Sequence, residues 1–313
     1  MSQNLDRLLF GDSVQNLDLG DSVRLGNQIS AVADYLMSGR ESNDGREVVN
    51  FNQTFENIPG SMFFTFGHNN VDVNYIAAQL AWYAKGQQKL LGINRYRPAM
   101  WERITRDAGV VKQDALENMY LDLHSNYGEY VFREGQLDRV IKQLNRNPMS
   151  RQAIIIFNNP AVLDSDTKDH ICTTSMQFII RDGLLHGITT MRSNELWNGF
   201  RFDVAFFTFL MDYVRAELNG LGRTGIKLGN YYHNVGSFHI NSEHLNNITG
   251  MNCGRALHFP PLKPGEGPAL IRELPYIEEI ARKAGPVSKG LRGLVEANDW
   301  QFYHTIVNLL FNA

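Results

Sequence analysis

The stretch DHICTTSMQFIIRDGLLHGITTMRSNELWNGFRFDVAFF, residues 169–207, carries most of the architecture. Two β-type runs, 174–181 and 184–192, flank Asp182-Gly183. Asp-Gly in that position predicts a tight hairpin, because its turn needs positive φ and these residue types tolerate it. Within the first run, Met176-Gln177-Phe178-Ile179-Ile180 reads as a buried strand, and Cys172 stands just ahead of it. Beyond the hairpin, residues 200–220 read as a long helix that is apolar almost all round, which predicts a central position.

Working outward, residues 21–38 predict a helix, with Val23, Leu25, Ile29, Val32 and Leu36 as its apolar positions and Gly39 near its end. Residues 45–57 read as a strand, and 73–86 as an apolar helix stopped by Gly86. An amphipathic helix is expected over 137–148, ended by Pro148, and a short buried strand over 151–160. Residues 225–240 read as another strand, 257–268 as a Pro/Gly-rich connector, and 269–284 and 298–311 as helices. The order predicts a mixed α+β fold, with strands gathered in the middle and helices at both ends. Residues 1–256 are expected to form a catalytic domain, and 257–313 a connector and helical extension of that same domain.

The bulk numbers narrow the function. The chain has 313 residues, 43% of them hydrophobic, enough for a large core. Net charge is -3, with no basic block of the kind that neutralises a duplex backbone, so no nucleic acid duplex is expected as partner. Small anionic ligands remain open, since one or two arginines hold a phosphate. Cys172 and Cys253 make no disulfide framework and lack the neighbouring ligands of a zinc site, so no metal is expected. No run approaches the roughly 20 apolar residues that span a bilayer, and MSQNLDRLLFGDSV has no signal-peptide core. A cytoplasmic protein is the expectation.

Taken alone, Cys172 reads as a small buried hydrophobe sooner than as a nucleophile. Hairpin geometry can bring Arg192 close to it, where a guanidinium favours the thiolate and can also hold a phosphate.

The ordered set Cys172, Gln177-Phe178, Arg192-Ser193, Gly199, Phe202 and His239 resembles the thymidylate synthase family in residue type and in spacing. Asn147-Pro148-Met149-Ser150-Arg151 is similar to that family's Asp-Pro-x-Ser-Arg turn, SNYGEY (125–130) to its Tyr-Gly segment, and Trp101 to its folate-side tryptophan. The similarity covers about residues 40–245. It implies a thymidylate synthase-like fold on a large mixed β-sheet, a homodimer formed through that sheet, a nucleoside monophosphate substrate, and 5,10-methylenetetrahydrofolate as cosubstrate. Cys172 would add to carbon 6 of a pyrimidine, making carbon 5 nucleophilic, which is covalent catalysis. By the same resemblance Arg192 and Ser193 would hold the 5′-phosphate, and Arg151 would reach it from the second subunit. Arg40, with Arg46 competing, would be a further phosphate ligand. His239 and Asn241 would face the sugar, and Gln177 would line the substrate side. Trp101, Glu195, Gly199 and Phe202 would form the folate side.

Four departures from the family pattern matter. Asp203 stands where the synthases carry Asn, as it does in the phage deoxycytidylate hydroxymethylases. A carboxyl suits cytosine's amino donor and unprotonated ring nitrogen, whereas an amide suits uracil. Asn241 replaces a tyrosine, which leaves ribose and deoxyribose both open, and Asn69 falls near the place of a basic residue for the folate tail. Gln79 occupies the place of the catalytic glutamate, and an amide is neither acid nor base, so Tyr127 becomes the nearest acid candidate. Asp203 points to a C5-hydroxymethyltransferase on dCMP or CMP, whereas Gln79 and Asn69 favour a folate-independent reaction. The alternatives are a folate-independent C5-modifying enzyme, a methylating synthase, and a non-catalytic nucleotide-binding paralogue.

Overall fold

The computed structural model describes residues 30–42, 44–66, 73–87, 90, 92–107, 123–158, 169–248, 253–284 and 299–311. The Asp182-Gly183 turn has φ of 51° and 74°, the two left-handed positions of a type I′ hairpin. It joins strand Thr173–Arg181 to strand Leu184–Glu195 and fixes the register Arg181↔Leu184 and Ile180↔Leu185. With a side-chain period of two, Met176, Phe178, Leu185 and Met191 are thereby buried on one face.

These strands belong to a six-stranded sheet. In chain order its members are β1 (Arg40–Ser42), β2 (Gly45–Phe55), β4 (Ile154–Ile156), β5 (Thr173–Arg181), β6 (Leu184–Glu195) and β7 (Lys227–Asn241), and in space the order is β1-β2-β7-β6-β5-β4. Every pairing is antiparallel except β6 with β7. A parallel pair needs a crossover, and helix α5 (Arg201–Gly220) supplies it, buried along nearly its whole length as its apolar circumference predicts. A second sheet pairs β3 (Met62–Phe66) with β8 (Cys253–His258).

Helices complete the core. They are α1 (30–37), α2 (Val73–Lys85), α3 (Pro98–Asp107), α4 (Gln136–Arg146), α6 (Glu266–Ala284) and α7 (Gln301–Phe311). Both α6 and α7 pack on α2. The mixed sheet flanked by helices is the fold class expected from sequence.

Three expectations change. The segment 257–268 is less connector than expected, because β8 runs to His258 and α6 begins at Glu266. The 151–160 strand is only Ile154–Ile156 and lies at the sheet edge, so Ile154 and Ile156 are 39% and 45% exposed while Ile155 is buried. The helix read over 21–38 is described only over 30–37, and its remainder lies outside the described residues.

Candidate active site

The register shift between Thr173 and Ser175 opens the end of the hairpin at Cys172. There the Arg192 amide donates to the Cys172 carbonyl at 2.8 Å. The Arg192 guanidinium donates to the next two carbonyls back, Nε to Ile171 at 3.1 Å and Nη2 to His170 at 2.7 Å. Arg192 therefore clamps the backbone of the cysteine segment, as the hairpin geometry predicted. The thiolate expectation fares differently. Burial pushes the Cys172 thiol up to about 11, Arg192 pulls the other way, and Asp203 and Asp169 add to the rise. Desolvation outweighs the guanidinium, so Cys172 is a thiol at neutral pH.

Beside it lies Tyr127, fully buried, whose Oη accepts from Thr173 Oγ1 at 2.9 Å. Burial, with Asp203 and Cys172 nearby, raises its phenol well above the ordinary range, so it is a held O–H and not a base. Tyr83 stacks on Tyr127 with ring centroids 5.4 Å apart, and Gln79 Nε2 donates to Tyr83 Oη at 3.1 Å. Gln79, Tyr83, Phe202, Phe206, Phe302 and Ile306 line a small cavity of about 10 Å³, so the last helix contributes part of its wall.

Asp203 sits in the first turn of α5 and is 9% exposed. Burial lifts its carboxyl to about 7, and a hydrogen bond from Asn194 works against the rise. Asn194 Nδ2 reaches Asp203 Oδ2 at 2.7 Å, and Asn194 Oδ1 faces His233 Nε2 at 3.0 Å. His233 Nδ1 in turn faces Tyr231 Oη at 2.8 Å. Gly199 makes room for this pair, since a Cβ there would lie 2.8 Å from Asn194 Nδ2 and 3.4 Å from Asp203 Oδ2. Gly199 is part of a π turn, Leu196–Phe200, that leads from β6 into α5.

Glu195 caps that turn, its Oε2 accepting from the Asn198 amide, while Oε1 is buried with no hydrogen-bond partner among the described residues. Arg97 Nη2 donates to Asn198 Oδ1 at 3.2 Å, and the Trp101 amide donates to the Arg97 carbonyl at 3.2 Å. The chain thus links Trp101 to the Glu195 turn. Trp101 is buried, edge-to-face on Trp82, and its indole N–H has no partner among the described residues. Phe202 lies edge-on to Tyr75, with the Arg97 guanidinium 5.1 Å from its ring centre. Asn69 lies outside the described residues.

The sugar and phosphate candidates divide. Arg40, His239 and Asn241 share an open cleft of about 510 Å³ with Glu47 and Ser237. Parallel register sets Ser193 beside Ser237 and Glu195 beside His239, which connects this cleft to the end of β6. Arg40 is engaged with Glu47, which also accepts from Ser237 Oγ at 2.6 Å. Arg46 instead donates to the Gly39 carbonyl at 3.0 Å and does not line the cleft. Arg151 and Gln177 meet elsewhere, Gln177 Nε2 donating to the Arg151 carbonyl at 2.8 Å, and Arg151 is exposed. Neither lines the cleft.

Sequence reasoning missed Asn194, His233, Tyr231 and Tyr83. Tyr231 and His233 carried a signal, two polar rings spaced by two within a strand whose same phase continues to Val235. Tyr83 carried none, being one of several aromatics in an apolar helix.

The thymidylate synthase family model matches residues 30–265, and the chain belongs to that family. It is a one-carbon transferase enzyme. It is 31% identical over 190 residues to the deoxycytidylate 5-hydroxymethyltransferase of Enterobacteria phage T4, covering 58% of this chain and 72% of the relative. It is 30% identical over 267 residues to the thymidylate synthase of Staphylococcus haemolyticus, covering 70% of this chain and 81% of the relative. Among the described residues no helix is long and apolar enough to cross a membrane.

Proposed function

We propose that this chain is a hydroxymethyltransferase acting at carbon 5 of a cytidine monophosphate, with dCMP as first substrate and CMP also admitted. The observation that carries the reading is Asp203, a buried carboxyl titrating near 7 in the same cluster as Cys172, Arg192 and Tyr127. Near neutrality such a group is present in both charge states. It can accept from cytosine's amino group and, when protonated, donate to the ring nitrogen. The phage relative's name points the same way.

Cys172 adds through sulfur to carbon 6 of the ring. Burial keeps the free thiol protonated, so the addition is that of a whole thiol: sulfur joins carbon 6, the 5,6 double bond shifts to carbons 5 and 4, and the thiol's proton ends on the ring nitrogen N3. Arg192, already at the cysteine backbone, and Ser193 hold the 5′-phosphate. His239 and Asn241 meet the sugar from the cleft shared with Arg40. Tyr127 keeps its O–H and serves as donor, while Gln79 is held by Tyr83 and positions water without exchanging protons.

Methylenetetrahydrofolate fits the second half of the site. The orphaned acceptor Glu195 Oε1 and the orphaned donor Trp101 Nε1 are connected through Arg97 and Asn198, and buried polar groups left without partners are expected to receive them from a ligand. Glu195, Trp101, Gly199 and Phe202 would hold the folate, which supplies a one-carbon unit when bound.

The enzyme acts as a homodimer through the open sheet face. Ile154, Gln177, Ile188 and Tyr232 form one row across four strands, with exposed Arg151 beside it, and in the dimer Arg151 would reach the partner's phosphate site.

The test is incubation with methylenetetrahydrofolate and, separately, dCMP, CMP, dUMP and UMP, reading product masses. A hydroxymethyl product from a cytosine nucleotide that disappears in Cys172→Ala supports the proposal. A methyl product, or turnover of dUMP alone, overturns it.

A further inference from the structure

A carboxylic acid offers one donor and one acceptor, and its proton can sit on either oxygen. Cytosine needs that pair in one order and uracil needs it reversed. A neutral Asp203 therefore discriminates only if its two oxygens are made inequivalent.

The buried contacts behind Asp203 do this. His233 is held neutral, burial pushing it down to about 3, so its ring carries a single N–H. An ionised Asp203 can only accept, so Asn194 must turn its amide nitrogen toward it and its oxygen toward His233. His233 must then carry its proton on Nε2, and Tyr231 must donate to Nδ1. Every link now has one direction. Putting a proton on Asp203 Oδ2 would require Asn194 to turn its amide end for end and His233 to change tautomer. Both are buried. The proton instead goes to Oδ1, which has no donor paired with it among the described residues. The other titratable groups facing Asp203, namely Cys172, Tyr83 and Tyr127, all hold their protons at neutral pH and do not disturb this order.

We propose that Asn194 and His233 are positioning residues for base specificity: the directed chain Tyr231 O–H to His233, His233 N–H to Asn194, and Asn194 N–H to Asp203 keeps Oδ2 an acceptor and assigns the acid proton to Oδ1. The inference rests on the reading of Asp203 as the cytosine selector. Without the chain the acid is symmetric and serves uracil's reversed edge as well.

The test measures affinity of the full chain for dCMP and dUMP by calorimetry in the parent, His233→Leu, His233→Gln and Asn194→Leu. Glutamine can donate to Asn194 and accept from Tyr231, so His233→Gln keeps the direction and the parent's dCMP:dUMP ratio. His233→Leu and Asn194→Leu are expected to lower that ratio about tenfold or more. A ratio unchanged in both leucine variants, with a parent that prefers dCMP, overturns the chain but leaves the proposed function standing. A parent without cytosine preference overturns both. Nitrogen-15 NMR of the parent keeps the test decisive if a variant fails to fold. His233 is expected as the Nε2–H tautomer on both sides of the Asp203 titration, and an Nδ1–H tautomer on either side refutes the assignment.

Discussion

Replacing Asp203 with asparagine tests the site through folding stability. The carboxyl is displaced from an ordinary 3.8 to about 7 by burial. The folded protein therefore keeps a proton that the unfolded chain releases, and stability falls as pH rises through the window from 3.8 to 7. At roughly 1.4 kcal/mol per pH unit, the full loss is about 4 kcal/mol, nearly absent at about pH 4 and fully present above about 7. The Asp203→Asn variant has no such titration. The new amide oxygen still accepts from Asn194 and the side-chain volume is nearly unchanged, so the perturbation is confined to charge. Urea unfolding of parent and variant, at matched protein concentration, should give similar stabilities near about pH 4.5. By about pH 8 the variant should be more stable by a few kcal/mol. The m-values should stay equal. A stability difference that does not change with pH would refute the reasoning, because it would mean that Asp203 is already ionised at low pH or is solvated in the folded chain.

Other consequences are open to direct measurement. Alkylation of Cys172 in the free enzyme should accelerate steadily from about pH 8 to beyond about 10, without the plateau near neutrality that an activated thiolate would give. Gly199→Ala should cost about 1–3 kcal/mol, because its Cβ meets Asn194 Nδ2, and should weaken nucleotide binding more than a surface substitution of equal cost; calorimetry and thermal unfolding measure the two effects. Ile154→Lys with Ile156→Lys should leave the fold intact, since both side chains are exposed on an edge strand, but should convert the proposed dimer to monomer in light scattering.

Much of the fold was legible because its signals were local. Asp182-Gly183 fixes a register by turn chemistry alone, and the apolar circumference of α5 announces its central place. The strand pair β3 and β8 was not legible, because it joins segments far apart in the chain and Phe63-Phe64 has no alternation to distinguish it from a helix segment. In the site, the spacing of Cys172, Arg192 and Asp203 survives as a spatial cluster. The charge state of Cys172 was misread because sequence offers the neighbouring guanidinium but not the degree of burial. The polar chain behind Asp203 was missed for a similar reason. Its members come from two strands and a helix, and Asn194 meets His233 through side chains alone, since the register pairs Asn194 with Phe238 and His233 with Thr189.

Under the proposed function, the Arg192 clamp would give the substrate's tail a mechanical grip on the reacting atom. Two of its guanidinium nitrogens are committed to the His170 and Ile171 carbonyls, so a phosphate drawn to the remaining edge would pull on the segment that carries Cys172. Removing the phosphate would therefore do more than weaken binding. A nucleoside would reach a sulfur whose footing has not been tightened, and the lost binding energy would reappear as slower chemistry at a carbon several bonds away from the missing group.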